Sequence, residues 1–237
     1  PTSLGVFFLR PWCPARFLLC SESQAKEAVE VKWYVGSEDH LFTGKVCTDG
    51  SGLHVKTPLL TRCGWGFCQL LPVGKGWVEA TCRGPLPGPV QEVPRAELFA
   101  VYQVLLRGAP PLEIYTDCKF VSDGYAAGYR TTCSSGYAHA DLWRLFWNRI
   151  DDLGGAEQVA IKWTKGHASR ADVQRAAVTD WQRTGNHRAD QLARDGAACH
   201  PSADTIAEKH QEVVLLNQLY LKFCTRVCLH VESGPPD

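Results

Sequence analysis

Apolar residues in this chain recur with a period of two in some stretches and 3.6 in others, and the switches between periods divide it into strands and helices. Residues 45–48 read as a short strand running into Asp49-Gly50-Ser51-Gly52, a turn-like stretch. Residues 64–71, with Trp65 and Phe67 between small residues, read as a second strand and residues 76–82 as a third. Gly74-Lys75-Gly76 between them has hairpin chemistry. The Pro-rich residues 84–94 lead into a helix from Arg95. Its apolar face is Leu98, Val101, Tyr102 and Leu105, and Gly108-Ala109-Pro110-Pro111 stops it. A strand over 112–116 then sets Leu112, Ile114 and Thr116 on one face and Glu113, Tyr115 and Asp117 on the other.

The second half is more helical. A helix is expected over 119–127, then a turn-rich connector over 128–136. A stronger helix marked by Trp143, Phe146, Trp147 and Ile150 follows, ended by Gly154-Gly155. Residues 159–163 read as a strand and 167–183 as a polar, partly helical segment. Asn186 reads as the cap of a helix through Ala189, Leu192 and Ala193. The order strand, strand, strand, helix, strand, helix, helix, strand, helix predicts an α/β domain with a mixed sheet over residues 44–199. Residues 1–43 form an N-terminal extension holding a helix over 22–28, a β-like stretch over 29–35 and a linker over 36–40. In residues 200–237, Leu216, Leu219, Tyr220 and Phe223 mark an extra amphipathic helix, which packs on the domain or docks a partner, before a disordered tail at 233–237.

Composition narrows the classes. The 25 basic and 25 acidic residues cancel, which excludes a domain that coats nucleic acid through bulk charge. A nucleic-acid enzyme whose metal ions supply the positive charge remains open. The apolar patches at 6–9 and 17–20 are too short and interrupted to span a membrane. Eleven cysteines include Cys63-x4-Cys68 and Cys224-x3-Cys228, neither with a second pair to complete a zinc site. Free thiols in a reducing intracellular compartment, nuclear or cytoplasmic, are the expectation. With no methionine and Pro1 first, the sequence reads as a piece of a longer polypeptide.

The candidate chemistry lies in four acids. Asp49 ends a β-like run, Glu97 sits in the first turn of a helix, Asp117 ends a strand and Asp190 sits in the first turn of the Asn186-capped helix. Singly each has a plain reading: Glu97 and Asp190 as helix-dipole partners, Asp49 and Asp117 as turn formers. Together, four carboxylates beside apolar residues would repel one another, and divalent cations resolve the conflict. Two such ions roughly 3.5–4 Å apart suit in-line phosphodiester displacement, one activating water and the other stabilising the leaving oxygen.

Five stretches then carry a resemblance. Thr48-Asp49-Gly50-Ser51-Gly52 with Gly64-Trp65-Gly66, Arg95-Ala96-Glu97-Leu98, Tyr115-Thr116-Asp117-Cys118-Lys119-Phe120-Val121, Trp163-Thr164-Lys165-Gly166-His167 and Gly185-Asn186-His187-Arg188-Ala189-Asp190-Gln191-Leu192-Ala193 resemble, in order, the motifs of type 1 ribonuclease H domains. The resemblance implies a ribonuclease H-like fold, a five-stranded mixed sheet flanked by helices. It implies Asp49, Glu97, Asp117 and Asp190 as catalytic ligands of two Mg2+ ions, with Mn2+ able to substitute, and endoribonuclease cleavage of the RNA strand of RNA–DNA hybrids. His167 would assist proton transfer or product release. The main chain around Gly50, Ser51 and Gly52, with Glu97, would meet the 2′-OH. Lys119, Lys165 and Arg95 would meet phosphates or stay solvated.

Three departures from the family accompany it. The connector over 128–140 is short, with Arg130 as its fixed cation, where some members carry a basic protrusion. The segment between His167 and Asp190 is longer, with Arg170, Arg175, Trp181 and Arg183. Residues 1–43 do not resemble the hybrid-binding domain of cellular eukaryotic members. A ribonuclease H domain detached from a retrotransposon polyprotein, beside a reverse transcriptase, fits these features. The alternative from another class is a catalytically silent domain kept as a nucleic-acid or structural tether.

Overall fold

The computed structural model describes residues 30–33, 41–56, 60–74, 76–200 and 203–232. The expectations for residues 6–9, 17–20, 22–28, 36–40, 233–237 and Lys75 lie outside them. In chain order the elements are β1 (Glu30–Trp33), β2 (Phe42–Leu53), β3 (Arg62–Val73), β4 (Gly76–Pro85), α1 (Val93–Arg107), β5 (Gly108–Thr116), α2 (Lys119–Ala127), α3 (Tyr129–Thr132), α4 (Ala140–Asp152), a 3-10 turn at Ala156–Gln158, β6 (Val159–Trp163), α5 (Arg170–Gln174), α6 (Asp180–Ala198) and α7 (Ala203–Glu232). The elements from β1 to α6 lie in one compact unit, Glu22–His200, and α7 lies in another.

One mixed sheet, ordered β1-β4-β3-β2-β5-β6, organises the larger unit. β2, β3 and β4 are antiparallel, while β5 runs parallel to both β2 and β6. These are the five strands implied by the resemblance. The β-like stretch beyond them supplies a sixth, β1, antiparallel to β4 from Glu30–Arg83 to Trp33–Ala80.

Alternation along the strands divides the core. Val46, Trp65 and Phe67 turn to the side covered by α1 and α4, where they bury with Leu98, Val101, Leu105, Trp143 and Phe146. Cys47, Cys68 and Leu70 turn the other way, against Ala189 and Leu192 of α6. The apolar faces read from the 3.6 period in α1 and α4 are therefore buried faces, whereas Leu216, Leu219, Tyr220 and Phe223, the face read for the last helix, are each more than half exposed. A bidentate ion pair, Arg95 to Asp141 at 2.9 and 2.6 Å, joins the start of α1 to the start of α4.

Three local expectations are corrected. Asp49-Gly50-Ser51-Gly52 is not a turn: β2 continues through it, pairing Asp49 with Gly66 and Gly50 with Trp65. Glycine serves close approach there, since a Cβ on Gly50 would lie 2.4 Å from the Glu97 backbone nitrogen. Gly108-Ala109-Pro110-Pro111 does end α1, yet it is already the first part of β5. Asn186 does not cap its helix. α6 starts at Asp180, where Thr179 Oγ1 accepts from the Gln182 amide and Gln182 Oε1 accepts from the Thr179 amide, a reciprocal capping box. Thr179-x-x-Gln182 was the legible signal. Asp190 is consequently well inside α6, and Glu97 is past the first turn of α1, which begins at Val93.

Candidate active site

Strand register brings the first two acids side by side. Thr48 of β2 pairs with Thr116 of the parallel β5, and Asp49 and Asp117 each follow by one residue. Gly50 lets the backbone of α1 approach β2 and carry Glu97 to the same place. The result is a cluster in which one carboxylate oxygen from each of Asp49, Glu97 and Asp117 lies within 4.8 Å of the others. Asp49 and Glu97 are buried and Asp117 half-buried.

Asp190 stands just outside this trio. It is buried on α6, ion-paired with Arg194 at 2.9 Å, and near enough for its charge to act on Asp49. The approach of α6 depends on further glycines. A Cβ on Gly64 or Gly66 of β3 would meet the α6 backbone at 1.9 and 2.6 Å. Asn186, one turn before Asp190, donates from Nδ2 to Asp117 Oδ2 at 3.1 Å. That contact was missed from sequence because a helix-start pattern made Asn186 look like a cap.

The electrostatics of the cluster are unfavourable without a cation. Burial first, then the neighbouring Asp117, push the Asp49 carboxyl up to about 8. Burial and the charge of Asp49 hold Glu97 well above the usual carboxylate range, and the two side chains share a hydrogen bond. Glu97 Oε2 and Asn186 Oδ1 are buried with no hydrogen-bond partner. An all-oxygen donor set with an orphaned, buried carboxylate oxygen fits a hard divalent cation such as magnesium.

Residues 44–198 match the sequence profile of the RNase H family. The chain belongs to the RNase H family. Relatives include ribonuclease H of Nitrobacter hamburgensis, 31% identical over 145 residues, which are 57% of this chain and 81% of that protein. Another, from Rhodopseudomonas palustris, is 30% identical over 149 residues, 55% of this chain and 84% of the relative. Among solved structures, prototype foamy virus protease–reverse transcriptase shares the fold, with a TM-score of 0.50 and 20% identity over 65% of this chain. The match spans 20% of the viral chain. This RNase H domain is accordingly a ribonuclease H, a hydrolase.

The other expected site residues of the RNase H domain fall around the acid cluster. Gly50 is buried in β2, with Ser51 and Gly52 half-buried beyond it. His167 is exposed and adopts a left-handed conformation, φ 49°. It follows Gly166, where a Cβ would lie 2.3 Å from Asp117 Oδ2. Of the expected phosphate-facing cations, Arg95 is committed to Asp141 and Lys165 to Asp172, at 2.6 Å. Lys119 is exposed, its Nζ 5.6 Å from the centroid of the Trp163 ring. Trp163, 48% exposed, donates from Nε1 to the Asp117 carbonyl at 3.0 Å. That places an exposed aromatic surface at the edge of the cluster, which the strand pattern alone did not single out.

Gly166→Ala isolates the geometry of Asp117. The added methyl must push the carboxylate aside, so turnover should fall about a hundredfold, the scale of a displacement near one ångström. Thermal stability should change little, because the short Asp117 side chain can yield toward solvent. Steady-state rates beside a melting curve check both.

Proposed function

We propose that this domain is an endoribonuclease that hydrolyses the RNA strand of RNA–DNA hybrids through a two-metal site of Asp49, Glu97, Asp117 and Asp190. The observation that carries the reading is the convergence of Asp49, Glu97 and Asp117 into one buried cluster within an RNase H family domain. Magnesium ions, when bound there, supply the positive charge for phosphodiester displacement. Asn186 holds the Asp117 carboxylate through its amide. Glu97 and the main chain of Gly50, Ser51 and Gly52 meet the 2′-OH that separates RNA from DNA. His167 moves a proton at the scissile phosphate from its loop, and Lys119 with Trp163 supports the nucleic-acid backbone beside Asp117.

Two of the three expected cations, Arg95 and Lys165, are locked into ion pairs, and with a net charge of zero this points to weak hybrid affinity for the isolated chain. A neighbouring reverse transcriptase in a larger retrotransposon polyprotein would supply the missing grip. Similarity to a fifth of foamy virus protease–reverse transcriptase supports that reading. The reducing intracellular setting belongs to it as well: Cys47 and Cys82 are buried free thiols pushed up to about 12 by burial. No described helix is long and apolar enough to cross a membrane.

Cleavage of a labelled RNA–DNA hybrid with magnesium, beside RNA–RNA, DNA–DNA and single-stranded controls, tests the function. Cutting of the hybrid RNA alone, abolished by EDTA and supported by manganese, is expected. A folded protein that binds hybrid and never cuts it would replace this reading with a silent tether.

The acid cluster also sets a pH dependence for the metal-free protein. The folded-state pKa of Asp49 is raised, so the stability tied to its protonated form is fully present below the ordinary value of 3.8. It is lost as pH climbs through about 8. Melting temperature without metal should therefore fall across that window. Magnesium, by binding the ionised cluster, should raise it more at pH 8 than at pH 5. An equal magnesium shift at both pH values would separate metal binding from these carboxylates.

A further inference from the structure

α7 carries an apolar stripe with an acid at one end and a base at the other, spaced equally from Leu219. At 100° per residue, Glu212, Leu215, Leu216, Leu219, Lys222, Phe223 and Arg226 fall within about 120° of arc on one side of the helix. The four apolar members are more than half exposed, Leu219 at 54% and Leu216 at 64%. On the opposite side Val213, Asn217 and Cys224 are half-buried or buried, and Val214 and Leu221 are less exposed than the stripe, at 40% and 42%. Glu212 and Arg226 are exposed and have no ion-pair partner among the described residues.

The order of these residues matters more than their exposure. Counting outward from Leu219, Leu216 and Lys222 stand three positions away, Leu215 and Phe223 four, and Glu212 and Arg226 seven. Laid antiparallel on a copy of itself with Leu219 on the two-fold axis, the stripe sets Leu215 against Phe223, Glu212 against Arg226 and Leu216 against the aliphatic stem of Lys222, each twice. An isologous contact needs this reciprocity, in which one residue meets a second and the second meets the first. A parallel pair would set Glu212 against Glu212 and Arg226 against Arg226. Flanking charges of this kind select partner and orientation in helix pairs.

We propose that α7 is a self-association helix, its Leu215–Leu216–Leu219–Phe223 face docking antiparallel on the same face of a second copy of this chain. The contact uses residues of α7 alone, and it does not depend on the chain cutting hybrids.

Sedimentation equilibrium of the 237-residue chain over the micromolar range tests the proposal. A concentration-dependent dimer is expected. Leu219→Glu, which sets two carboxylates together on the axis, should give a monomer of unchanged helicity by circular dichroism. Glu212→Arg alone should weaken the dimer about tenfold, and adding Arg226→Glu should restore it, because only the antiparallel pairing exchanges these two positions. A chain that stays monomeric throughout overturns the proposal. So does a dimer indifferent to Leu219→Glu, or one that the double reversal fails to restore.

Discussion

Asp117→Asn is expected to slow magnesium-dependent cleavage of hybrid RNA by at least roughly a thousandfold, with the domain still folded. Asparagine keeps the shape of the side chain and can turn its oxygen toward Asn186, so the hydrogen bond at 3.1 Å survives. The negative charge does not. A neutral amide is a poor ligand for a hard cation, and one of the three clustered carboxylates is lost. The same substitution has an opposite effect on stability. Asp117 is the foremost charge raising Asp49, so removing it brings the Asp49 carboxyl back down from about 8. The metal-free variant should consequently melt above the unsubstituted protein at pH 8, although it no longer turns over. Rates and melting curves on the same preparation measure both effects. A variant that keeps a tenth of the original rate would move the chemistry away from this cluster.

Gly64→Ala should be the most damaging single methyl in the fold. Its Cβ would lie 1.9 Å from the backbone nitrogen of Ala197 and 2.4 Å from the carbonyl carbon of Gly196. Neither atom ends a flexible side chain, so α6 itself must lift off β3. Overpacking costs about 1–3 kcal/mol where side chains can adjust, and a backbone obstacle belongs at the upper end or beyond. In a domain of this size, about 3 kcal/mol corresponds to a fall of roughly 6–12 °C in Tm. Activity should fall too, because α6 holds Asn186 and Asp190. Gly136→Ala is the control: open space surrounds that position, and it should leave both properties unchanged. If the two variants melt together, the seam between α6 and β3 is looser than the distances state.

Much of this was legible in the sequence, for identifiable reasons. The helices of Leu98–Val101–Leu105 and Trp143–Phe146–Ile150 could be read because one face of each is buried against the sheet, and burial imposes the 3.6 period. The four acids could be nominated because ionised side chains among apolar neighbours need a reason. Errors concentrated where glycine or asparagine had two possible uses. Gly50 and Gly52 resembled turn residues, while Gly50 is spent on letting α1 come close to a continuous strand. Asn186 looked like a cap, and its helix begins two turns earlier. Local pattern reports which conformations a residue tolerates; it does not report which distant backbone will press against it. The sixth strand shows the same limit, since edge pairing of β1 with β4 is a long-range event.

The position of β2 has a consequence for the timing of motions around the cluster. This strand lies inside the sheet, bonded on one side to β3 and on the other to β5. Amides from Cys47 to Gly50 should therefore exchange with deuterated solvent only when the whole unit opens. The amide of His167, in an exposed loop between β6 and α5, should exchange through small local fluctuations. The acids would then form a frame already set before any nucleic acid arrives, and the histidine a part free to reorient during each turnover. Exchange profiles with and without magnesium would show protection gained along the loop and almost none along the strand.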